Sequence, residues 1–566
     1  MEGKSSDIVW EGQYHITHLL EPLSRRINEK DLHVLACKFV QTFTRLAKTS
    51  TDHFLTTPVT TLPTGHERGK FIAIDVGGTN LRVGLVELLG EDGAVPSGMA
   101  ALIDTVPLPK IRRSHEKSWP IENHLKMDQA EDLFTWIGDC IAEVVEEAIV
   151  GLSGVELDEH VLGDEIPLGI TFSFPMTQTS MSEATLMPMG KGFAITSDLN
   201  LGKMLLGGYA RHCEDTATNG SSSHDKDGHS NKKRRVTKLP GLRIAAIAND
   251  TVATFASLAY TTKASPNSHA VMGLIVGTGT NATVPMRPTT LHSSKAKSLH
   301  LPVGSDSDNA KVVINTEWSI RGTDVPLREL GIMTTWDIQL DKNSEAPGFQ
   351  PFEYMTAGRY IGEIVRLILV EHLSNVKATG DIPPQFLDKN AVTTTFLATE
   401  VAPSDKTLSN LRDKLNEMFP APSDSESPYW TDQLADDLRF IAQKVQVRSC
   451  ALIAAAIVGL LACVGEIRMD NPEGAYLDKH RTLQPPFNSE GPTGTSTGCV
   501  EELVVPYTGS TIQWYPEFLE TCQAWIDNLV KHGSVKNENK RVVLREATDG
   551  GIIGAAVLAG MAGTIV

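Results

Sequence analysis

Two short runs of this 566-residue sequence share one construction, Phe71-Ile-Ala-Ile-Asp-Val-Gly-Gly-Thr-Asn80 and Gly273-Leu-Ile-Val-Gly-Thr-Gly-Thr-Asn281. Each is an apolar strand-forming run, a Gly/Thr turn and an Asn. Small residues in a tight turn let backbone N–H groups point into one concavity, and the missing Cβ lets a phosphate approach closely. Gly77, Gly78 and Thr79 meet that need, as do Gly277, Thr278 and Gly279. One such turn is ordinary, but two in one chain point to a clamp for nucleotide phosphates. Neither is a P-loop, because no G-x-x-x-x-G-K-[ST] occurs, and the G-x-G-x-x-G dinucleotide fingerprint is also absent.

The third chemical feature is Asp250, which follows the apolar run Leu242 to Ala248 and Asn249 and precedes Thr251-Val-Ala-Thr-Phe255. This pattern predicts a strand, a turn and a helix start. A carboxylate at a strand end facing a cleft can take the proton from a hydroxyl as that oxygen attacks a phosphoryl group. An Asp at a helix start is equally a cap. The residues leave both roles open. A G-x-S-x-G string at Gly494 to Gly498 would put Ser496 on a nucleophile elbow only after a strand and before a helix. Here it precedes a strand, inside a Pro/Gly/Thr loop.

These groups need a frame. The length exceeds what one core usually organises, so two α/β lobes are expected, each offering one hairpin turn. The apolar share of 41% and charged share of 21% are those of a globular chain. A net charge of -18 argues against nucleic acid as a direct partner. Seven cysteines without a C-x-x-C pair suggest neither a disulfide framework nor a zinc site. Glu2, Lys4 and Asp7 open the chain where a secretory signal would be apolar, so a cytoplasmic location is expected. The apolar run Ala451 to Gly465 is shorter than a membrane span and reads as a buried helix. Leu19, Leu20, Leu23, Ile27, Leu32, Leu35 and Phe39 recur at helical steps before a Thr/Pro-rich link. The segments Cys213 to Pro240 and Asn471 to Gly498 are polar or Pro/Gly-rich and read as insertions. The first ends in Lys232, Lys233, Arg234 and Arg235, a possible nuclear-import signal or simply a solvated loop.

Taken in order, Ile74 to Val83, Leu168 to Pro175, Lys191-Gly-Phe193, Ala248 to Val252, Gly277 to Asn281, Ile314 to Trp318, Pro347 to Glu353 and Gly362 to Leu369 resemble the successive motifs of hexokinases. The resemblance runs from about residue 12 to the C-terminus. It implies the two-lobed α/β fold of actin-like ATPases, with a cleft between a small and a large domain. The corresponding division is 12–263, containing the insertion 213–240, and 269–563. The implied activity is ATP-dependent phosphorylation of a hexose at its 6-hydroxyl, with Asp250 as the base. Ser173, Lys191, Asn249, Asn281, Glu317 and Glu353 would hydrogen-bond the sugar. The phosphate loops would be Asp75, Gly77, Gly78, Thr79, Asn80 and Arg82, then Gly277 and Thr278, then Thr508, Gly509 and Ser510. Adenine would lie near Asp549, Gly550 and the residues to Gly554. Mg2+ would bridge the ATP phosphates, with Asp75 a ligand through water.

Several positions depart from the family pattern. Gly190 stands for a Thr, Pro188-Met189 for Arg-Trp, Ser319 for a Gly and Thr508 for an Asp. Gly551-Ile552 replaces Ser-Gly, and the branched Ile552 is expected to crowd the nucleotide. Gly190 would leave room for a bulkier sugar, with N-acetylglucosamine the leading variant substrate. Two alternatives therefore accompany the hexose kinase: an N-acetylglucosamine kinase, and a catalytically weak sugar-sensing regulator with protein partners. A third, an actin-like structural ATPase without a sugar site, gives no reason for Glu317 and Glu353.

Overall fold

The computed structural model describes residues 16–90, 110–122, 124–125, 130–152, 164–174, 176–186, 199–213, 239–261, 267–299, 310–376, 382–403, 405–421, 429–470 and 500–564. Their contacts divide into two units. The larger comprises Met1–Thr56 and Ala264–Thr548, the smaller Thr57–Lys263 and Asp549–Val566. A single cut between 263 and 269, expected from the sequence, leaves out two exchanges. The N-terminal helices belong with the later residues, and the final helix belongs with the earlier ones.

In the small unit one sheet runs Ile111–Pro120, Asn80–Leu88, Gly69–Val76, Glu165–Phe172, Gly241–Ala248. The first three strands are antiparallel neighbours, and the last two run parallel to Gly69–Val76. The sheet of the large unit repeats this plan with Val312–Asn315, Thr280–Met286, Gly273–Val276, Glu501–Thr508 and Lys540–Glu546. Leu55–Thr56 extends its antiparallel edge, and Ser268–Ala270 pairs with the start of Glu501–Thr508. The echo read from the two glycine turns is thus a repeat of a whole five-strand order, each turn joining the first two strands in sequence.

Each sheet has its own apolar core. Ile72, Ile74, Val83, Ile137, Ile141, Leu168 and Ile170 fill that of the small unit. In the large unit the core is organised by the helix Asp432–Cys463, capped by Thr431 Oγ1 accepting from the Leu434 N–H at 3.3 Å. This helix extends well upstream of the apolar run that announced it and is long and apolar enough to cross a membrane. Its run from Cys450 to Val458 is sealed inside the unit. Gly459 lets it cross the helix Glu29–Thr49 closely, since a Cβ there would lie 3.1 Å from the Ala36 carbonyl oxygen.

Candidate functional site

In the small unit the three parallel strands end at one edge of the sheet, the usual ligand-binding edge of α/β folds. Register sets Asp75 opposite Thr171 and Thr171 opposite Ala248. Gly77 therefore follows the first strand, Ser173 the second, and Asn249 and Asp250 the third. The Ser173 N–H donates to the Val76 carbonyl at 3.0 Å, tying the second turn to the first. Buried Asn249 caps the helix Asp250–Thr261, its Oδ1 accepting from the Thr251 N–H at 3.1 Å and Thr251 Oγ1 at 2.6 Å. The Asp250 carboxylate accepts from the same N–H at 2.8 Å. Asp250 is half-exposed at the first helical position, where the helix N-terminus favours negative charge. Capping and the chemical role are therefore compatible at this position.

Asp75 faces Arg82 directly across the Gly69–Val76/Asn80–Leu88 hairpin. Burial, with the nearby Asp250 charge, pushes the Asp75 carboxyl up to about 7, and Arg82 only partly offsets this. Arg82 is shared, donating to Asp549 at 2.5 Å and lying 3.3 Å from Glu116. Arg113 also donates to Asp549, at 2.5 Å. Burial would raise the Asp549 carboxyl, but these two guanidinium groups hold it below its ordinary value. Asp549 has a left-handed φ of 54° and introduces the helix Gly550–Thr564. Thr171 Oγ1 donates to the Gly551 carbonyl at 2.8 Å and fixes where that helix begins.

The expected crowding by Ile552 does not occur. Its side chain is fully buried and turned to the sheet, where a Cβ on Gly84 would lie 3.2 Å from its Cδ1. The helix docks first-turn side chains against the sheet, so branching at this position adds to the core.

In the large unit, Asn281, Glu317 and Glu353 come together. Asn281 Nδ2 donates to Asn315 Oδ1 at 2.8 Å, and Asn315 Nδ2 donates to Glu317 Oε1 at 2.7 Å. Glu353 Oε2 accepts from the Thr280 N–H at 3.1 Å. Glu317 and Glu353 are 6% and 1% exposed, burial that a carboxylate tolerates only with matched donors. Beneath them Trp318 stacks on Phe43 and meets Phe352 edge-on, with centroids 6.5 Å and 5.8 Å away. Trp318 Nε1 donates to Thr280 Oγ1 at 3.3 Å. Glu317 also holds a φ of 48°, a conformation costing on the order of 1 kcal/mol that rigid surroundings must impose.

The second glycine turn lies against the strand end at 508–510. Gly509, at φ 123°, packs on Gly277, and a Cβ on Gly277 would lie 3.3 Å from Ser510 N. The Gly277 carbonyl accepts from the Gly358 N–H at 2.8 Å and Thr511 Oγ1 at 3.0 Å. Gly277, Thr278, Thr508, Gly509 and Ser510 are thus one assembly of backbone. Lys191, Gly190, Pro188, Met189, the Ser496 string and the basic run Lys232 to Arg235 lie outside the described residues.

Sequence reading passed over Asn315, Thr171, Arg113 and Glu116. Asn315 stands inside a motif already singled out, and an amide between two apolar strand residues and a Glu was its available signal. Arg113 pairs locally with Glu116 at 3.2 Å, and nothing in the sequence marks its second partner, Asp549, hundreds of residues away.

Two family profiles, both described as Hexokinase, match residues 18–260 and 271–561. Hexokinase-1 of Nicotiana tabacum is 29% identical over 507 residues, covering 89% of this chain and 82% of its own. Human Hexokinase-1 is 26% identical over 414 residues, 73% of this chain and 37% of its own. Among solved structures, the hexokinase of Schistosoma mansoni in complex with glucose superposes with a TM-score of 0.67 at 25% identity, covering 97% of this chain and 99% of that one. A second hexokinase crystal structure, at 22% identity, gives 0.62 and supports the fold alone.

Proposed function

The chain belongs to the hexokinase family and is a hexose-phosphorylating kinase, and on that premise we propose that Asp250 is its catalytic base, glucose its substrate and ATP its phosphoryl donor. The observation that carries the assignment of the base is the common edge formed by Asp75, Gly77, Ser173, Asn249 and Asp250 at the ends of three parallel strands. Glucose is chosen because the Schistosoma mansoni relative was solved with it.

In the proposed reaction the sugar's 6-oxygen forms a bond to the γ-phosphorus while the bond from that phosphorus to the β-phosphate oxygen breaks. ADP leaves, and the hydroxyl proton passes to the Asp250 carboxylate. The Glu317 and Glu353 carboxylates accept hydrogen bonds from the sugar hydroxyls and the Asn281 amide donates to one, with Ser173, Asn249 and Lys191 as further contacts. The backbone donors of Gly77 to Asn80, of Gly277 and Thr278, and of Thr508 to Ser510 bear the phosphate charge. Arg82, Asp549 and Gly550 are proposed to complete the nucleotide contacts.

Mg2+ fits the donor set. Among the described residues no group of three or more His, Cys, Asp or Glu side chains forms a metal cage. Mg2+ needs none, because it keeps much of its water and uses one or two carboxylates with the substrate phosphates. Asp75, a hard oxygen donor whose charge is disfavoured by burial and by Asp250, is the residue proposed to hold it through water. Bound there, the ion would neutralise phosphate charge.

The test is sugar-dependent ADP release measured across glucose, fructose, mannose, glucosamine and N-acetylglucosamine, with Asp250→Ala beside the wild type. Glucose turnover is expected, with kcat reduced by roughly 10²- to 10⁴-fold in Asp250→Ala while glucose binding persists. Glucose binding without turnover in the wild type would overturn the assignment in favour of a regulator.

A further inference from the structure

Between the helix Phe518–Gly533 and the strand Lys540–Glu546 lies a cavity of about 370 Å³, inside the range of about 300–1,000 Å³ usual for small-ligand sites. Buried Val530 and Val542 give it an apolar floor. Asn537, 3% exposed, fixes the frame behind it. Its Nδ2 donates to the Arg468 and Val530 carbonyls at 2.8 Å and 3.1 Å, and its Oδ1 accepts from the Arg468 N–H at 3.0 Å. Register sets Lys540 to Val542 beside Glu501 to Leu503, at the opposite end of that strand from Thr508. At a rise of about 3.3 Å per residue, roughly 20 Å separates the cavity from the 508–510 turn.

Three cations from two elements line this cavity: Lys531 in the last turn of the helix, and Lys540 and Arg541 at the start of the strand. Elsewhere on this acidic chain exposed cations are taken up by carboxylates, as Lys117 is by Glu143 and Glu147, and Arg412 by Asp413 and Asp432. Among the described residues the side chains of Lys531 and Arg541 form no ion pair or hydrogen bond, although Asp527 and Glu538 line the same cavity. Lys540 is anchored, its Nζ donating to the Glu466 carbonyl at 2.6 Å with Glu501 3.4 Å away. Asp527 is held by Gln523, whose Nε2 donates to it at 2.8 Å and to the Val542 carbonyl at 2.9 Å. Two uncommitted cations thus share a preformed cavity with two carboxylates that lie beyond ion-pair reach of them.

Three separate cations suit a phosphate dianion with three terminal oxygens better than a planar carboxylate, which one guanidinium fork satisfies alone. Asp527 and Glu538 repel a second anionic group but accept hydrogen bonds from hydroxyls. Among the described residues no aromatic side chain lines the cavity, so a nucleobase would find no stacking surface. We propose that this cavity is a second ligand site, taking the monophosphate ester of a polyol. The phosphate sits on Lys531, Lys540 and Arg541, the hydroxyls donate to Asp527 and Glu538, and the carbon skeleton lies against Val530 and Val542. The site stands apart from the kinase chemistry and does not depend on it.

Calorimetry on the full-length protein tests this with myo-inositol 1-phosphate, glycerol 3-phosphate, inorganic phosphate and myo-inositol, none of which is a hexose. The esters are expected to bind wild type roughly fivefold or more tightly than inorganic phosphate, and myo-inositol not to bind. The double variant Lys531→Ala, Arg541→Ala should lose roughly tenfold or more in ester affinity, and Glu538→Ala should narrow the preference for ester over phosphate. All three positions are exposed, so melting temperature and sugar-dependent ADP release should stay at the wild-type level in these variants. Failure of both esters to bind, equal ester affinity in wild type and the double variant, or inorganic phosphate binding as tightly as the esters overturns the proposal. Loss of ADP release in the double variant overturns it too, by tying these cations to the kinase reaction. Ester binding in a wild-type protein without turnover would count against the kinase reading alone.

Discussion

At the scale of single residues, Asp75 couples function to stability. Its carboxyl is held near 7 by burial and by the charge of Asp250, whereas in an unfolded chain it would ionise around 4. Between those values the folded chain keeps a proton that the unfolded chain releases. The contribution of Asp75 to stability is therefore full below about pH 4 and declines as pH rises through 7. Asp75→Asn, which cannot ionise, is expected to stabilise the ligand-free protein at pH 8 by about 2 kcal/mol, with the gain shrinking toward zero near pH 4. Urea titrations at the two pH values check this, and a variant less stable than wild type at pH 8 would refute it. Turnover should fall at least tenfold in the same variant. Glu317 carries a comparable cost in its left-handed backbone, so two proposed ligand-binding residues, one in each unit, are held in states the isolated residue would avoid.

At the scale of elements, the same five-strand order occurs twice, and each copy places a glycine turn after its first strand and a helix start after its fifth. Within the large unit, the 277–279 turn meets the 508–510 turn most closely at Gly509. A side chain there would meet the Gly277 nitrogen at 2.7 Å and would also have to adopt a φ of 123°. Gly509→Ala is expected to destabilise the large unit by about 2–4 kcal/mol and to raise the KM for ATP at least tenfold. A thermal melt and an ATP titration test it, and a neutral result on both would show that the two turns do not act together. The strands, the Asp250 helix and both glycine turns were readable from the sequence because they depend on local period and on residues with special backbone freedom. The direction of Ile552 was not readable, because it depends on which sheet the helix docks against. The pairing of Arg113 with Asp549 was likewise hidden, since a charged residue on a strand gives no sign of a distant partner. Of the sugar-contact candidates, Asn281 and Glu317 are joined through the Asn315 amide, while Glu353 accepts from the Thr280 N–H beside Asn281.

At the scale of the whole molecule, each unit is completed by a segment from the far end of the chain. The helix Gly550–Thr564 packs on the Gly69–Val76 and Glu165–Phe172 strands and on the helix Asp250–Thr261. Gly554 permits that last contact, because any Cβ there would strike the Ala253 backbone. Ile552, Val557 and Leu558 are fully buried in the same interface. Removing residues 549–566 is expected to cost the small unit on the order of 5 kcal/mol. Hydrogen exchange should then lose protection in Gly69–Val76 and Gly241–Ala248 while the Asp432–Cys463 helix keeps it. Equal loss in both units would mean that they do not unfold separately. The same arrangement governs birth on the ribosome. Residues 57–263 emerge early, yet the helix that closes their core is translated only after nearly 300 further residues, and at about 5–20 residues per second the nascent chain waits roughly 15–60 s for it. During that interval the apolar face awaiting Ile552, Val557 and Leu558 is open to chaperones and proteases, so translation speed across the second half of the message sets how long the first half goes unprotected.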